Sequence, residues 1–449
     1  MSEQKKSQKR AVSEKLITKI DPFSWVEQYF KVSPDCRHVA YGALEKKGWF
    51  MVIDGKHGEK YDALLQGTPV FSADGKRVVY GVVKDNKWFV VVDGKESKHY
   101  YDDIGINMPV FSPDGKRLAY DARRGNNRFV VVNGKEEKHY DNIGKDTITF
   151  SPDSKRLAYG AREGLKWFVV VDGKEEKHYD DIGKGSLTFS PDSKRLAYEA
   201  RLGKKQLVVV DEKEEKHYDD IGSIPLFSPD SSHLAYVALE GSKQFVVVDG
   251  KEGKHYDGIL QGTPIFSPDS KRVAYGALKG NKWFVVVDGE EEKHYDAIGT
   301  TLIFSPDSKQ LAYGAQEGLK WFVVIDGKEE KHYDGILRGT PVFSPDSKRV
   351  AYGALEGNKW FLVVDGEEEK HYDAIGTTLI FSPDSRRVAY DAQEGTKWFM
   401  VVDGKHENQY DTIITHEGVK ITFDSPDSLH YLASRDTSIY LVEETITYE

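Results

Sequence analysis

FSPDSKRLAYGAREGLKWFVVVDGKEEKHYD, residues 150–180, decides the fold, because the same pattern returns through almost the whole chain. Its Ser-(Pro)-Asp anchor stands at Ser33, Ser72, Ser112, Ser151, Ser190, Ser228, Ser267, Ser305, Ser344, Ser382 and, degenerately, Ser425. Successive anchors lie 38–40 residues apart, with 43 before the last. Such a period marks one supersecondary unit repeated until neighbouring copies bury its faces.

Each unit reads as four short strands. In residues 148–181 the first is Ile148-Thr149-Phe150, ended by Ser151-Pro152-Asp153-Ser154, where Pro fixes φ and Asp can bond the backbone two residues on. Arg156-Leu157-Ala158-Tyr159 is the second, broken at Glu163-Gly164, and Trp167-Phe168-Val169-Val170-Val171 is the third. Asp172-Gly173 is a hairpin signal leading into a polar fourth strand, Glu176-Lys177-His178-Tyr179. A run such as WFVVV has no polar side, so both faces must be covered. The charged fourth strand belongs at an outer edge, where Lys discourages pairing between sheets.

Four antiparallel strands grading from apolar to polar describe a propeller blade stacked between two others. The expected fold is all-β, a propeller of eleven four-stranded blades. Rings usually hold about 4 to 8 blades, so two arrangements arise. We read one large ring, closed by a strand at residues 15–20 that completes the shortened last unit. The alternative is two rings, of about five and six blades, with a seam near residue 222 where Gln206 and Gln244 replace Trp and Asp211-Glu212 interrupts the turn. Residues 1–12, rich in Lys, Gln and Ser, read as a mobile basic tail before an array at 13–449.

The pattern F-S-P-D-[SG]-K-R-[LV]-A-Y followed by W-F-V-V-V-D-G resembles the WD40-like repeat of the TolB type over roughly residues 22–442. The resemblance implies the propeller fold. It implies little about function, since similar blades serve scaffolds, peptidase gates and a few lyases. TolB-like proteins are exported and carry an α/β domain before the propeller. No export signal is read here, so their periplasmic role is not carried over.

With 63 basic and 73 acidic residues the net charge is −10, which argues against general affinity for nucleic acid or anionic membranes. The N-terminus has no apolar run behind its charges and reads as no signal peptide. No stretch of about 20 apolar residues occurs, so no membrane-spanning helix is expected, and the expected location is cytoplasmic. Cys36 is the single cysteine, so no intramolecular disulfide forms.

Eight of the fourteen histidines are one residue repeated: His99, His139, His178, His217, His255, His294, His332 and His371, all in Lys-His-Tyr. A metal site needs ligands that converge, and equivalent positions a blade apart do not, so a structural role is expected and neither metal nor cofactor. The tryptophans at 49, 88, 167, 283, 321, 360 and 398 open the third strand in seven units. They read as inter-blade packing, against a ligand pocket in each blade. No G-x-S-x-G elbow, P-loop or G-x-G-x-x-G occurs, and near-identical blades lack the asymmetry that catalysis requires, so no enzyme is expected.

The SPDSK and DGK turns hardly vary, whereas the connections between strands two and three do, as do the inter-blade segments 64–67, 106–108, 145–146 and 259–262. Antiparallel order puts both variable connections on one face. Blades three to five concentrate Arg123, Arg124, Arg128, Arg162, Arg201, Lys204 and Lys205 there, the candidate site for a partner of acidic character. The expected function is a non-enzymatic scaffold binding a protein or peptide over this face or in the central channel. Alternatives are a multivalent carbohydrate-like ligand binder with one site per blade and, more weakly, a lyase or hydrolase using the channel. Oligomeric state is not read from the sequence.

Overall fold

A computed structural model describes residues 8–105, 107–406, 408–415 and 420–448. Among them every regular element is a β-strand, and no helix is long and apolar enough to cross a membrane. The strands form eleven sheets, one per repeat, which we number as blades from the Ser33 anchor onward. Blade 4 shows the pattern. Its first strand is split into Asn142–Ile143 and Thr149–Phe150, both antiparallel to Leu157–Glu163, which pairs in turn with Lys166–Val171 and then Lys174–Glu175. First strands touch directly between blades 5 and 6, 7 and 8, and 9 and 10, so they are the inner strands around the channel.

The apolar third strand is covered on both sides, as its composition requires. Phe168 and Val170 pack with Ala119 and Val130 of blade 3, whereas Val169 and Val171 pack with Leu196 and Tyr198 of blade 5. Each blade therefore has two dry faces, and its stability is shared with both neighbours.

The expected fourth strand lies two residues early. Lys174–Glu175 pairs with the third strand; the chain then leaves the sheet, and Tyr179 rejoins Trp167 through reciprocal backbone bonds of 2.7 and 3.0 Å. The excursion lays the His178 ring flat on Phe168, 4.3 Å between centroids. The same stack recurs at His139, His255, His294, His332 and His371, each 4.1 Å from its Phe. These histidines are spent on covering buried Phe rings along the outer wall.

The ring is single. Gln8–Lys19 pairs antiparallel with Ser438–Tyr448, in a register that sets Leu16 opposite Tyr440, and so supplies the outer strand of blade 11. Arg10 donates from Nε to Glu444 Oε2 at 2.9 Å, with both side chains 1% exposed. Tyr431 donates to the other oxygen of Glu444, and Glu14 accepts from Arg435 and Tyr410. Blade 1 then packs on blade 11 through Cys36, Val39, Ile414, Leu432 and Leu441. Near residue 222 there is no seam: Val208 and Tyr218 of blade 5 share a core with Phe227 and Tyr236 of blade 6. The two-ring alternative is thereby excluded. The tail boundary also moves, because residues 8–12 belong to the closing strand; residues 1–7 lie outside the described residues.

Candidate functional site: the inner wall of blades 3 to 6

The two faces of the ring are built differently. On the anchor face, Ser151 Oγ donates to Asp153 at 2.6 Å, and the Asp153 N–H donates to Ser193 Oγ of the next blade at 2.9 Å. The clamp repeats from Asp114 to Ser154, Asp192 to Ser231 and Asp269 to Ser308. Arg156 lies over Phe189 of the next blade, 5.1 Å from its centroid, and donates to the carbonyls of Ser193 and Lys194. Ser151, Asp153, Ser154 and Arg156 are all committed, so these positions of the turn hardly vary. On the opposite face Asp180 accepts from Lys166 Nζ in its own blade and from the Gly203 N–H of the next, at 2.6 and 2.7 Å. That clamp uses only the backbone of the turn between strands two and three, so the turn's other side chains are left unconstrained.

The variable inter-blade segments are not on this face. They form the break in each inner strand, halfway down the wall of the channel: Ile143 pairs with Ala161 and Thr149 with Ala158, with five residues looped between. The sequence reading missed this because a break inside a strand looks like a loop between strands.

Beneath the break, strand two follows a rule of complementary size. Leu65, Leu260 and Leu337 each donate a backbone bond to Gly81, Gly276 and Gly353. A Cβ on any of these glycines would stand 2.7 Å from the leucine Cβ. In blades 3, 5, 6 and 10 the sizes are exchanged, with Gly105, Gly183, Gly222 and Gly376 over Asp121, Glu199, Val237 and Asp391. Blades 4 and 8 have glycine on both sides, Gly144 with Gly160 and Gly299 with Gly314. Those two blades adjoin cavities of about 450 and 320 Å³.

In blades 3 and 5 the exchange builds a polar wall. Asp121 is 0% exposed. Its Oδ1 accepts the Asn107 N–H and Nδ2 at 2.7 and 3.1 Å, and its Oδ2 accepts from Arg128 Nη1 at 2.6 Å. The same guanidinium holds Asp103. Asn107 accepts the Asp146 N–H of blade 4, and Asp146 reaches Lys184 of blade 5 at 3.1 Å, which laces three inner strands together. Burial pushes the Glu199 carboxyl up to about 7, aided by the charges of Asp220 and Asp181. In blade 10 burial does the same to Asp391, also to about 7.

Arg128, Gln206 and Gln244 stand where seven other units carry Trp. The exchanges are compensated. Arg128 pairs with Asp121 and Asp103, while Gln206 and Gln244 accept the N–H groups of Ile221 and Ile259 in the following blades, at 2.9 and 2.7 Å. Where Trp is kept it packs between blades, Trp167 on the cluster that holds Ile182 and Tyr198.

The candidate basic residues divide. Arg123, Arg128 and Arg201 reach inner-strand carboxylates, at Asp103, Asp103 and Asp181. Arg124 turns outward to a two-bonded contact with Glu136. Arg162 lies over Trp167, 5.5 Å from its ring, and Lys205 holds Asp219 at 2.9 Å. Lys204 is exposed in its turn. These seven cations therefore do not form one free patch. Among the described residues no group of three or more His, Cys, Asp or Glu has the geometry to hold a metal ion.

No family model matches the chain, and no curated protein matches it. Similar solved structures include a eukaryotic initiation factor, 14% identical with a TM-score of 0.41, covering 74% of this chain and 95% of that one. Another is TolB from Acinetobacter baumannii, 17% identical, TM-score 0.25, covering 56% and 77%. A third is the β-propeller domain of the Trilobed protease from Pyrococcus furiosus, 15% identical, TM-score 0.30, covering 60% and 97%. At such distance these likenesses carry nothing about what this chain does.

Proposed function

We propose that the chain is a non-enzymatic scaffold that binds a protein or peptide over the face formed by the turns between strands two and three, with the inner wall of blades 3 to 6 at its centre. One observation carries the reading: the ring is near-uniform on its clamped anchor face and differs from blade to blade on the other. Residues held by inter-blade clamps cannot vary without loosening the ring. Turns clamped only through backbone are free to be shaped by a partner. Five of the seven cations of this sector, Arg123, Arg124, Arg128, Arg201 and Lys205, face Asp103, Asp121, Glu136, Asp181 and Asp219 at close range, so recognition rests on shape and hydrogen bonding, with charge contributing mainly to approach.

The test is capture of partners by the tagged full chain, compared with two variants. Replacing Arg123, Arg201 and Lys204 with Ser alters the variable face; replacing Lys76, Lys155 and Lys348 with Ser alters exposed anchor-face residues. Exposed pairs of this kind are worth about 0–1 kcal/mol, so both variants fold. The first loses the captured partner and the second keeps it. Equal capture by both would refute the assignment of the face.

A further inference from the structure

The geometry points to a discrete small-molecule site in the cavity between blades 4 and 5, shaped for a small hydroxylated anion such as a sugar acid or sugar phosphate. It is independent of any macromolecular partner on the face above. In blade 4 Gly144 stands over Gly160, and the smaller Thr147, which donates to the Gly144 carbonyl at 2.8 Å and accepts the Gly160 N–H at 3.0 Å, takes the place beside the cavity that Leu holds over Gly in blades 2, 7 and 9. Blade 5 widens it, since Gln206 stands where most blades carry Trp. At about 450 Å³ the space falls within the range of ordinary ligand pockets, roughly 300–1,000 Å³.

The lining gives the ligand class. Lys145 and Lys184 enter from the two inner strands, Glu199 and Gln206 from blade 5, Asn142 from above, and Trp167 supplies one apolar wall. Arg201 in the same lining is held by Asp181 at 3.3 Å and Lys184 by Asp146 at 3.1 Å, so Lys145 is the cation that suits a carboxylate or phosphate, with Lys184 beside it. Two carboxyl groups, Glu199 and Asp181, and two amides, Asn142 and Gln206, beside the Trp167 ring suit hydroxyl groups on a carbon skeleton. The cavity beside blade 8 is an internal comparison. It also has paired glycines and a Trp, Trp321, but its lining carries no carboxylate and a single cation, Arg338. Sites are therefore not equivalent around the ring, and one molecule binds per chain.

Titration calorimetry at low ionic strength with gluconate, glucose 6-phosphate and glucose tests the assignment. At least one of the two anions binds with a stoichiometry of one, and glucose binds at least tenfold more weakly; whichever anion binds more tightly identifies carboxylate or phosphate as the natural head. Gly144→Leu installs the side chain that blades 2, 7 and 9 already carry; its Cβ stands 2.8 Å from Thr147 Cγ2, so Thr147 must give way as the larger side chain fills the cavity and abolishes binding, and circular dichroism checks that the variant folds. Lys145→Ala combined with Lys184→Ala weakens the anion at least tenfold and leaves glucose unchanged. The assignment fails if neither anion binds at millimolar concentration, if several equivalent sites titrate, or if the filled variant binds like the wild type.

Discussion

A chain lacking residues 1–21 melts far below the intact protein. The deletion removes the outer strand of blade 11, whose pairing runs from Gln8 opposite Tyr448 to Lys19 opposite Ser438. It strips Arg10 from Glu444, whose side chain is 1% exposed, and losing one partner of a buried ion pair costs roughly 3–5 kcal/mol by itself. Ile17 also leaves the core that joins blades 1 and 11, at about 1.5–3 kcal/mol for a fully buried aliphatic side chain and less for one partly covered. The total is about 5 kcal/mol or more, concentrated at the one joint where the ring is closed by residues distant in sequence. A synthetic peptide of residues 8–21 added in excess restores part of the loss, since the gap it fills is a strand edge. Thermal melting followed by circular dichroism reads both effects. A truncated chain that melts like the whole one would show that another element closes the ring.

The second large effect is expected at blade 3. Arg128→Trp restores the residue most blades carry, yet it destabilises by roughly 3–5 kcal/mol, because Asp121 is buried and loses the guanidinium it shares with Asp103. Adding Asp121→Gly recreates the Gly160 and Trp167 pair of blade 4 and recovers most of the loss. Each change alone is therefore harmful and the pair is nearly neutral, a coupling of about 2 kcal/mol or more between contacting residues. Chemical denaturation of the four proteins in the cycle measures it. Additive losses would mean that Arg128 and Asp121 do not depend on one another.

The architecture was legible because its signals are local and repeated. The spacing of Ser151 from Ser190, the all-apolar run at Trp167–Val171 read as doubly covered, and the Asp172-Gly173 turn each specify blade geometry without reference to distant residues. The closing strand was legible for the opposite reason, as an apolar run at residues 15–20 with no blade of its own. The inner wall was not legible. Asp121 and Arg128 sit on different strands and Asp103 on a third, so each looked like an isolated departure from the repeat until the sheet brought them together. A signal was nevertheless present. Aligning the position after Leu-Ala-Tyr, or its variants, gives Gly81, Asp121, Gly160, Glu199, Val237 and Gly276, and aligning the start of the inner-strand break gives Leu65, Gly105, Gly144, Gly183, Gly222 and Leu260. The two columns compensate in size everywhere except blade 4, among these six, and there the smaller Thr147 fills the gap beside the cavity. The two-residue shift of the outer strand had no such signal, because it depends on His178 finding the Phe168 ring across the sheet.

The protein is a single ring of eleven blades closed by strand Gln8–Lys19. Electron cryomicroscopy of the intact chain, averaged in views down the channel axis, tests it most directly. Eleven spokes around one open channel, with density continuous between the first and last blade, are expected. Two smaller rings, or one ring with a gap between blades 11 and 1, would contradict it.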